Sequence, residues 1–166
     1  MESLWQKTAS LPRFPALDHS LHVDVLVIGG GMAGILSTML LHRAGVDCAL
    51  VEADRLCSGT TGHTTAKLTA QHGLFCRKMI KVLGLERTGL YLRANLEALE
   101  RYRSLCREID CDFEERDAYV YSRSSRDRLE GELAALERVG APARLAPSPS
   151  LPFPTVGAVC FPNQAQ

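Results

Sequence analysis

Val23-Asp24-Val25-Leu26-Val27-Ile28-Gly29-Gly30-Gly31-Met32-Ala33-Gly34 is the stretch on which the reading of the whole chain turns. Val23, Val25, Leu26, Val27 and Ile28 form a β-branched apolar run, the pattern of a short strand buried on both faces. Gly29, Gly31 and Gly34 supply G-x-G-x-x-G at the strand's end. Met32, Ile35, Leu36, Met39, Leu40 and Arg43 then fall on one helical stripe, and Gly45 is a suitable C-terminal stop. A second apolar run, Cys48 to Val51, closes on an acid at Glu52.

Each part of this strand–turn–helix–strand unit has a physical job. Gly29 permits a tight turn, Gly31 lets backbone N–H groups approach a pyrophosphate, and Gly34 lets the helix lie close on the strand. The helix N-terminus directs its unpaired N–H groups at phosphate. Glu52 is placed to accept hydrogen bonds from the ribose hydroxyls of an adenosine and to repel a 2′-phosphate, which disfavours NADP. A dinucleotide is therefore expected, with NAD and FAD both open on this unit alone.

Composition limits the other classes. At 166 residues the chain is long enough for a real core, and its 19 basic and 19 acidic residues leave a formal charge of zero. No whole-molecule field draws it to nucleic acid or anionic lipid. No apolar run reaches the ~20 residues a membrane helix needs. The first residues lack a secretory pattern, so a cytoplasmic chain is expected. Its six cysteines show no C-x-x-C and no zinc-type Cys/His spacing, so no metal site is expected and no thiol is given a catalytic role.

Working outward, residues 1–22 carry Trp5, Pro12, Phe14 and Pro15 without a period. They read as an extended arm docked by Trp5 and Phe14. After Glu52 comes a small, hydroxyl-rich segment from Leu56 to Thr69, whose threonines suit helix capping or phosphate oxygens. Phe75 to Leu83 reads as a short helix ending at Gly84. Leu85 to Ile109 reads as a long one with Leu92, Leu96, Leu99 and Tyr102 on one stripe and a solvated charged face from Glu97 to Arg107. A strand is expected within 112–122, a helix over 125–139 with Gly140 as its stop, a proline-rich loop over 142–154, and a last strand over 156–161.

The wording Val25-Leu-Val-Ile-Gly-Gly-Gly-Met-Ala-Gly34, then Leu50-Val-Glu-Ala, then Ser58-Gly-Thr-Thr-Gly-His-Thr-Thr-Ala-Lys67, resembles the FAD-dependent oxidoreductases of the D-amino-acid-oxidase type. That group includes glycine and sarcosine oxidases and γ-glutamylputrescine oxidase-like enzymes. The segment through Gly73 is most similar to bacterial members that often carry a C-terminal Rieske domain. The resemblance implies a flavin enzyme that oxidises the C–N bond of a small amine or amino acid by hydride transfer to flavin, with the electron acceptor left open. It places Gly29, Gly31, Gly34 and Glu52 on the ADP part of FAD. Ser58, Thr60, Thr61, His63, Thr64 and Thr65 fall beside the pyrophosphate and flavin ring.

The same resemblance divides the chain into an arm at 1–22, a Rossmann-like FAD-binding βαβ segment at 23–74, and the first part of an α+β substrate domain at 75–166. The family's fold extends further, so the chain is expected to be truncated, without a Rieske domain, and poorly stable alone. In the dimethylglycine-dehydrogenase branch a similar Gly-Ser-Thr-x-His stretch bonds flavin covalently. His63 is therefore expected to be a non-covalent flavin contact, a covalent attachment point, or a plain helix-start histidine. Lys67 suits phosphate pairing or a solvated position, and His72 a structural one. An NAD-dependent dehydrogenase fragment and an inactive nucleotide- or partner-binding remnant are the alternatives. The Ser58–Lys67 segment argues against NAD.

Overall fold

Val25–Ile28 (β1) and Cys48–Val51 (β2) pair in parallel, Val25 opposite Cys48 and Ile28 opposite Val51, with the helix Met32–Arg43 (α2) between them. The computed structural model containing this unit describes residues 3–166. The chain separates into two compact units, one ending at Thr65 and the other running from Ala66 to Gln166.

In the first unit, α2 ends as its sequence demands. Gly45 takes a left-handed φ of 75°, its N–H donates to the His42 carbonyl, and the Val46 N–H donates to Leu41. These two bonds satisfy carbonyls that the helix end would otherwise strand. The expected stripe is kept in part. Ile35, Leu36 and Met39 are half-buried, whereas Met32 and Leu40 are exposed.

The expectation that β1 is buried on both faces is not met. Val25 and Val27 are half-buried, while Leu26 and Ile28 on the opposite face are 52% and 81% exposed. The helix covers one face of this two-stranded sheet, and the periodicity of an apolar run does not reveal what covers the other. The arm also differs from the expectation. Leu4–Thr8 forms a short helix (α1) whose start is closed by a Ser3–Gln6 capping box. Trp5 docks, donating its indole N–H to the Thr64 carbonyl at 2.8 Å, but Phe14 is 71% exposed and docks nothing.

The second unit is a helix-on-sheet sandwich. Glu115–Ser122 (β3), Arg144–Ala146 (β4) and Gly157–Ala165 (β5) form an antiparallel sheet in the order β3-β5-β4. One side of β5 presents Val159 and Phe161 to a core shared with Leu92 of Cys76–Cys106 (α3) and Leu129 and Leu136 of Arg126–Arg138 (α4). Val159, Phe161 and Leu129 are fully buried. The proline-rich stretch expected as loop contains β4, a three-residue strand whose order comes from pairing with β5. β5 itself runs on to Ala165, past the expected end at Phe161.

α3 is two helices meeting at Gly84, whose φ of 81° breaks the helical path where the sequence placed the break. A buried carboxylate fixes its start. Glu132 of α4 accepts the N–H groups of Cys76 at 2.6 Å and Arg77 at 3.0 Å. That bond set closes two of the orphan donors at the helix N-terminus. Burial, and then the Glu132 charge, push the Cys76 thiol up to about 11, so it stays protonated at neutral pH. The charged face of α3 has one exception. Arg103 is largely covered and is held by Glu100 at 2.7 Å, by Glu115 at 3.0 Å and by the Asn163 carbonyl.

Residues 66–74, assigned by sequence to the nucleotide-binding segment, pack within the second unit. Leu68 bridges Ala165, and the Ala70 N–H donates to Gln164 Oε1 at 2.8 Å. Among the described residues no helix is long and apolar enough to cross a membrane.

Candidate functional site

The candidate site forms where β1 and β2 end and α2 begins. Gly29 leaves β1 with φ 107°, a conformation side chains rarely tolerate, while its N–H still donates to the Val51 carbonyl at 2.8 Å. The chain is thereby turned sharply and held at the end of both strands. Gly34 lies so close to this turn that a Cβ on it would overlap the Gly29 carbonyl oxygen, with Val27 also in contact. Helix and strand therefore meet backbone to backbone, as the spacing predicts.

Glu52 reaches into the turn from the end of β2. Its Oε2 accepts the Gly30 N–H at 2.6 Å, and its Oε1 accepts the Asp54 N–H at 3.0 Å. The Gly30 hydrogen bond first, then that of Asp54, hold the carboxyl below its ordinary value, so it is ionised at neutral pH. A carboxylate has about four acceptor positions, so both oxygens keep capacity for further donors such as vicinal hydroxyls. The side chain is exposed, which leaves those positions open to a ligand.

Opposite Glu52, the segment after β2 folds back over the turn. The Cys57 N–H donates to the Gly30 carbonyl at 2.9 Å, and the Met32 N–H donates to Thr61 Oγ1 at 3.0 Å. Gly31, the N-cap of α2, has Thr61 Oγ1 at 3.4 Å from where a Cβ would stand. Thr61 thus takes the first orphan donor of α2. The Ala33 and Gly34 N–H groups at the same helix end carry no protein acceptor among the described residues. Two free donors, the positive end of a helix and glycines without side chains form a cradle suited to a phosphate anion.

The remaining residues singled out by sequence lie on the continuation of this fold-back. Ser58 follows Cys57, its N–H bound to the Arg55 carbonyl at 3.2 Å. Thr60–His63 is a single 3₁₀ turn, buried at Gly62, where a Cβ would overlap the Cys57 carbonyl. His63 is exposed, and its Nδ1–H donates to the Gly59 carbonyl at 2.8 Å. Thr64 is held through its carbonyl by Trp5, while Thr60 and Thr65 are exposed. Ser3 Oγ also bonds the Gly62 carbonyl, so α1 and the 3₁₀ turn fix each other.

Gly29, Gly31, Gly34, Glu52 and Thr61 are therefore brought together. Ser58, Thr60, His63, Thr64 and Thr65 form an adjoining strip. The fingerprint spacing passed over Gly30, which is buried, and a Cβ there would press on the end of the Leu56 side chain and on Glu52. Three successive glycines, one more than the fingerprint needs, were the available signal. Among the described residues no group of three or more His, Cys, Asp or Glu side chains is arranged to hold a metal ion.

Known proteins carry the same pattern. The family model described as FAD dependent oxidoreductase matches residues 24–166. A Bacillus subtilis (strain 168) protein named for a Rieske 2Fe-2S iron–sulfur centre, YhfW, is 36% identical over 169 residues, covering 99% of this chain and 33% of its own length. Gamma-glutamylputrescine oxidoreductase of Escherichia coli (strain K12) is 29% identical over 102 residues, 60% of this chain and 24% of the relative. Tetracenomycin B2 monooxygenase-dioxygenase of Streptomyces olivaceus is 34% identical over 92 residues, 54% and 16% of the two chains. The chain thus spans about a third or less of the length of these relatives.

Proposed function

The chain belongs to the FAD-dependent oxidoreductases, and from that premise we propose that its Rossmann-like first unit holds the ADP part of FAD for oxidation of an amine or amino acid at its C–N bond. The observation that carries this reading is the joint geometry of Glu52 and the glycine turn. A carboxylate with spare acceptor positions, a glycine turn in which Gly34 has no room for a Cβ, and two free helix-start N–H groups converge within one turn of backbone. That donor and acceptor set fits an adenosine diphosphate, with ribose at the acid and phosphate at the helix end.

In this reading Glu52 orients the ribose through its hydroxyls, and the Ala33 and Gly34 N–H groups neutralise phosphate charge. Thr61 holds the fold-back segment against the helix start, and Ser58, Thr60, Thr64 and Thr65 line the path onward. When bound, the flavin supplies the acceptor for the hydride leaving the substrate carbon. The substrate class rests on the resemblance of the Ser58–Lys67 segment and on the Escherichia coli relative, whose name is that of a γ-glutamylputrescine oxidoreductase.

His63 makes a non-covalent contact in this account. Because its Nδ1 carries the proton donated to Gly59, Nε2 keeps its lone pair at neutral charge. Acid precipitation of the flavin-loaded chain distinguishes the roles. A colourless pellet is expected, and a yellow one assigns a covalent bond to the histidine instead. For the cofactor itself, equilibrium dialysis against FAD and NAD is the test. Retention of FAD, with NAD retained at least about tenfold more weakly, is expected, and a preference for NAD would overturn the reading.

A further inference from the structure

Cys106 and Cys111 lie at the end of α3 and in the turn that leads to β3, far along the chain from the nucleotide-binding turn. They are not two isolated thiols. Both line the same cavity of about 440 Å³ with Arg103, Arg107, Asp110 and Asp112, and after burial the neighbouring Cys111 thiol is the next cause that raises the Cys106 thiol. Cys111 is exposed and Cys106 is half-buried. At the end of α3 the Glu108 N–H is bound to the Leu105 carbonyl, and Asp112, just past Cys111, takes a left-handed conformation. None of the other four cysteines lines this cavity.

We propose that Cys106 and Cys111 form a reversible dithiol–disulfide pair, a modification site that closes the α3–β3 turn when a low-molecular-weight disulfide is the oxidant. The exposed Cys111 sulfur, as thiolate, attacks one sulfur of the small disulfide, forming a mixed disulfide and expelling one small thiol. Cys106, deprotonated in turn, attacks the Cys111 sulfur and expels the second small thiol. Two protein thiols are oxidised and one small disulfide is reduced to two thiols, and the protons lost by the protein are those gained by them. Burial raises the Cys106 thiol and so lowers its thiolate fraction, which proximity offsets in the second, intramolecular step.

The test is a redox titration of the full chain in glutathione buffers, with alkylation of free thiols and tryptic mapping. Trypsin cuts after Arg107, between the two cysteines, so the bond appears as two peptides that separate only on reduction. The expected result is this linked species as the first disulfide formed, with Cys48, Cys57, Cys76 and Cys160 still alkylated. Because near neighbours also pair in an unfolded chain, the titration is repeated in concentrated guanidinium. The native equilibrium constant is expected to exceed the denatured one by at least about tenfold, roughly 30 mV in potential. Cys111→Ser is expected to leave Cys106 unpaired. Recovery of both peptides as free thiols or glutathione adducts, pairing with another cysteine first, or equal constants in native and denatured chain would each overturn the proposal.

Discussion

The two units solve different problems with different residues. From Ala66 onward, order comes from side chains, with Leu129, Val159 and Phe161 excluded from solvent between sheet and helices. Up to Thr65, Gly30 and Gly62 are the fully buried positions among the described residues, and the strands β1 and β2 are at best half-buried. What is well determined there is backbone: the Gly29 turn, the Gly34 contact and the N–H groups gathered by Glu52 and Thr61. The first unit is thus built from missing side chains and hydrogen bonds, and the second from apolar volume. Recognition of a dinucleotide needs close backbone approach, which a large side chain would block.

The largest effect should come from the packed unit. Phe161→Ala is expected to cost about 3–5 kcal/mol in urea-induced unfolding followed by helical circular dichroism, the range for emptying a buried aromatic site. Glu132→Ala should cost about 1–3 kcal/mol by the same measurement, because it leaves the buried Cys76 N–H and the part-buried Arg77 N–H without their acceptor. In the backbone-built unit, Gly34→Ala forces apart the helix and the Gly29 carbonyl. Overpacking of this kind is expected to cost about 1–3 kcal/mol, with slowed-exchange amides of β1 losing protection. If Gly34→Ala were silent, backbone contact would not be what orders that unit.

Two smaller effects complete the contrast. Ile28→Ala should change stability by no more than about 0.5 kcal/mol despite sitting in the fingerprint strand, since its side chain is 81% exposed. Glu52 gives a pH signature. Its folded-state carboxyl lies below the ordinary 4.5, so its contribution is present above that value and is lost as pH falls through the lower folded-state value. Glu52→Gln should therefore lower the unfolding midpoint at neutral pH and converge with the parent chain in acid. A gap that widened on acidification would contradict the assignment.

Much of this contrast is legible in the sequence. Helix α2, its Gly45 stop and the acid after β2 followed from local spacing, because helix caps and turns are short-range chemistry. The Gly84 break and the extent of α4 did as well. What escaped is set by distant partners. β4 hides among prolines and exists through pairing with β5, and the exposure of Leu26 and Ile28 depends on what lies over the sheet. The same holds for the site. Gly29, Gly31, Gly34 and Glu52 came from a fixed spacing, whereas Thr61 on the Met32 N–H, Trp5 on Thr64 and Glu132 under α3 join residues far apart in sequence. Phe14 had the composition of an anchor, and nothing in the sequence told it apart from Trp5.

The central claim is that the glycine turn and Glu52 grip the ADP part of FAD. A fluorescence titration of FAD into the parent chain and into Glu52→Ala tests it most directly. The account predicts one FAD per parent chain and an affinity at least about tenfold weaker in the variant, the scale of a lost hydrogen bond to a charged group. No binding by the parent chain, or equal binding by both, would contradict it.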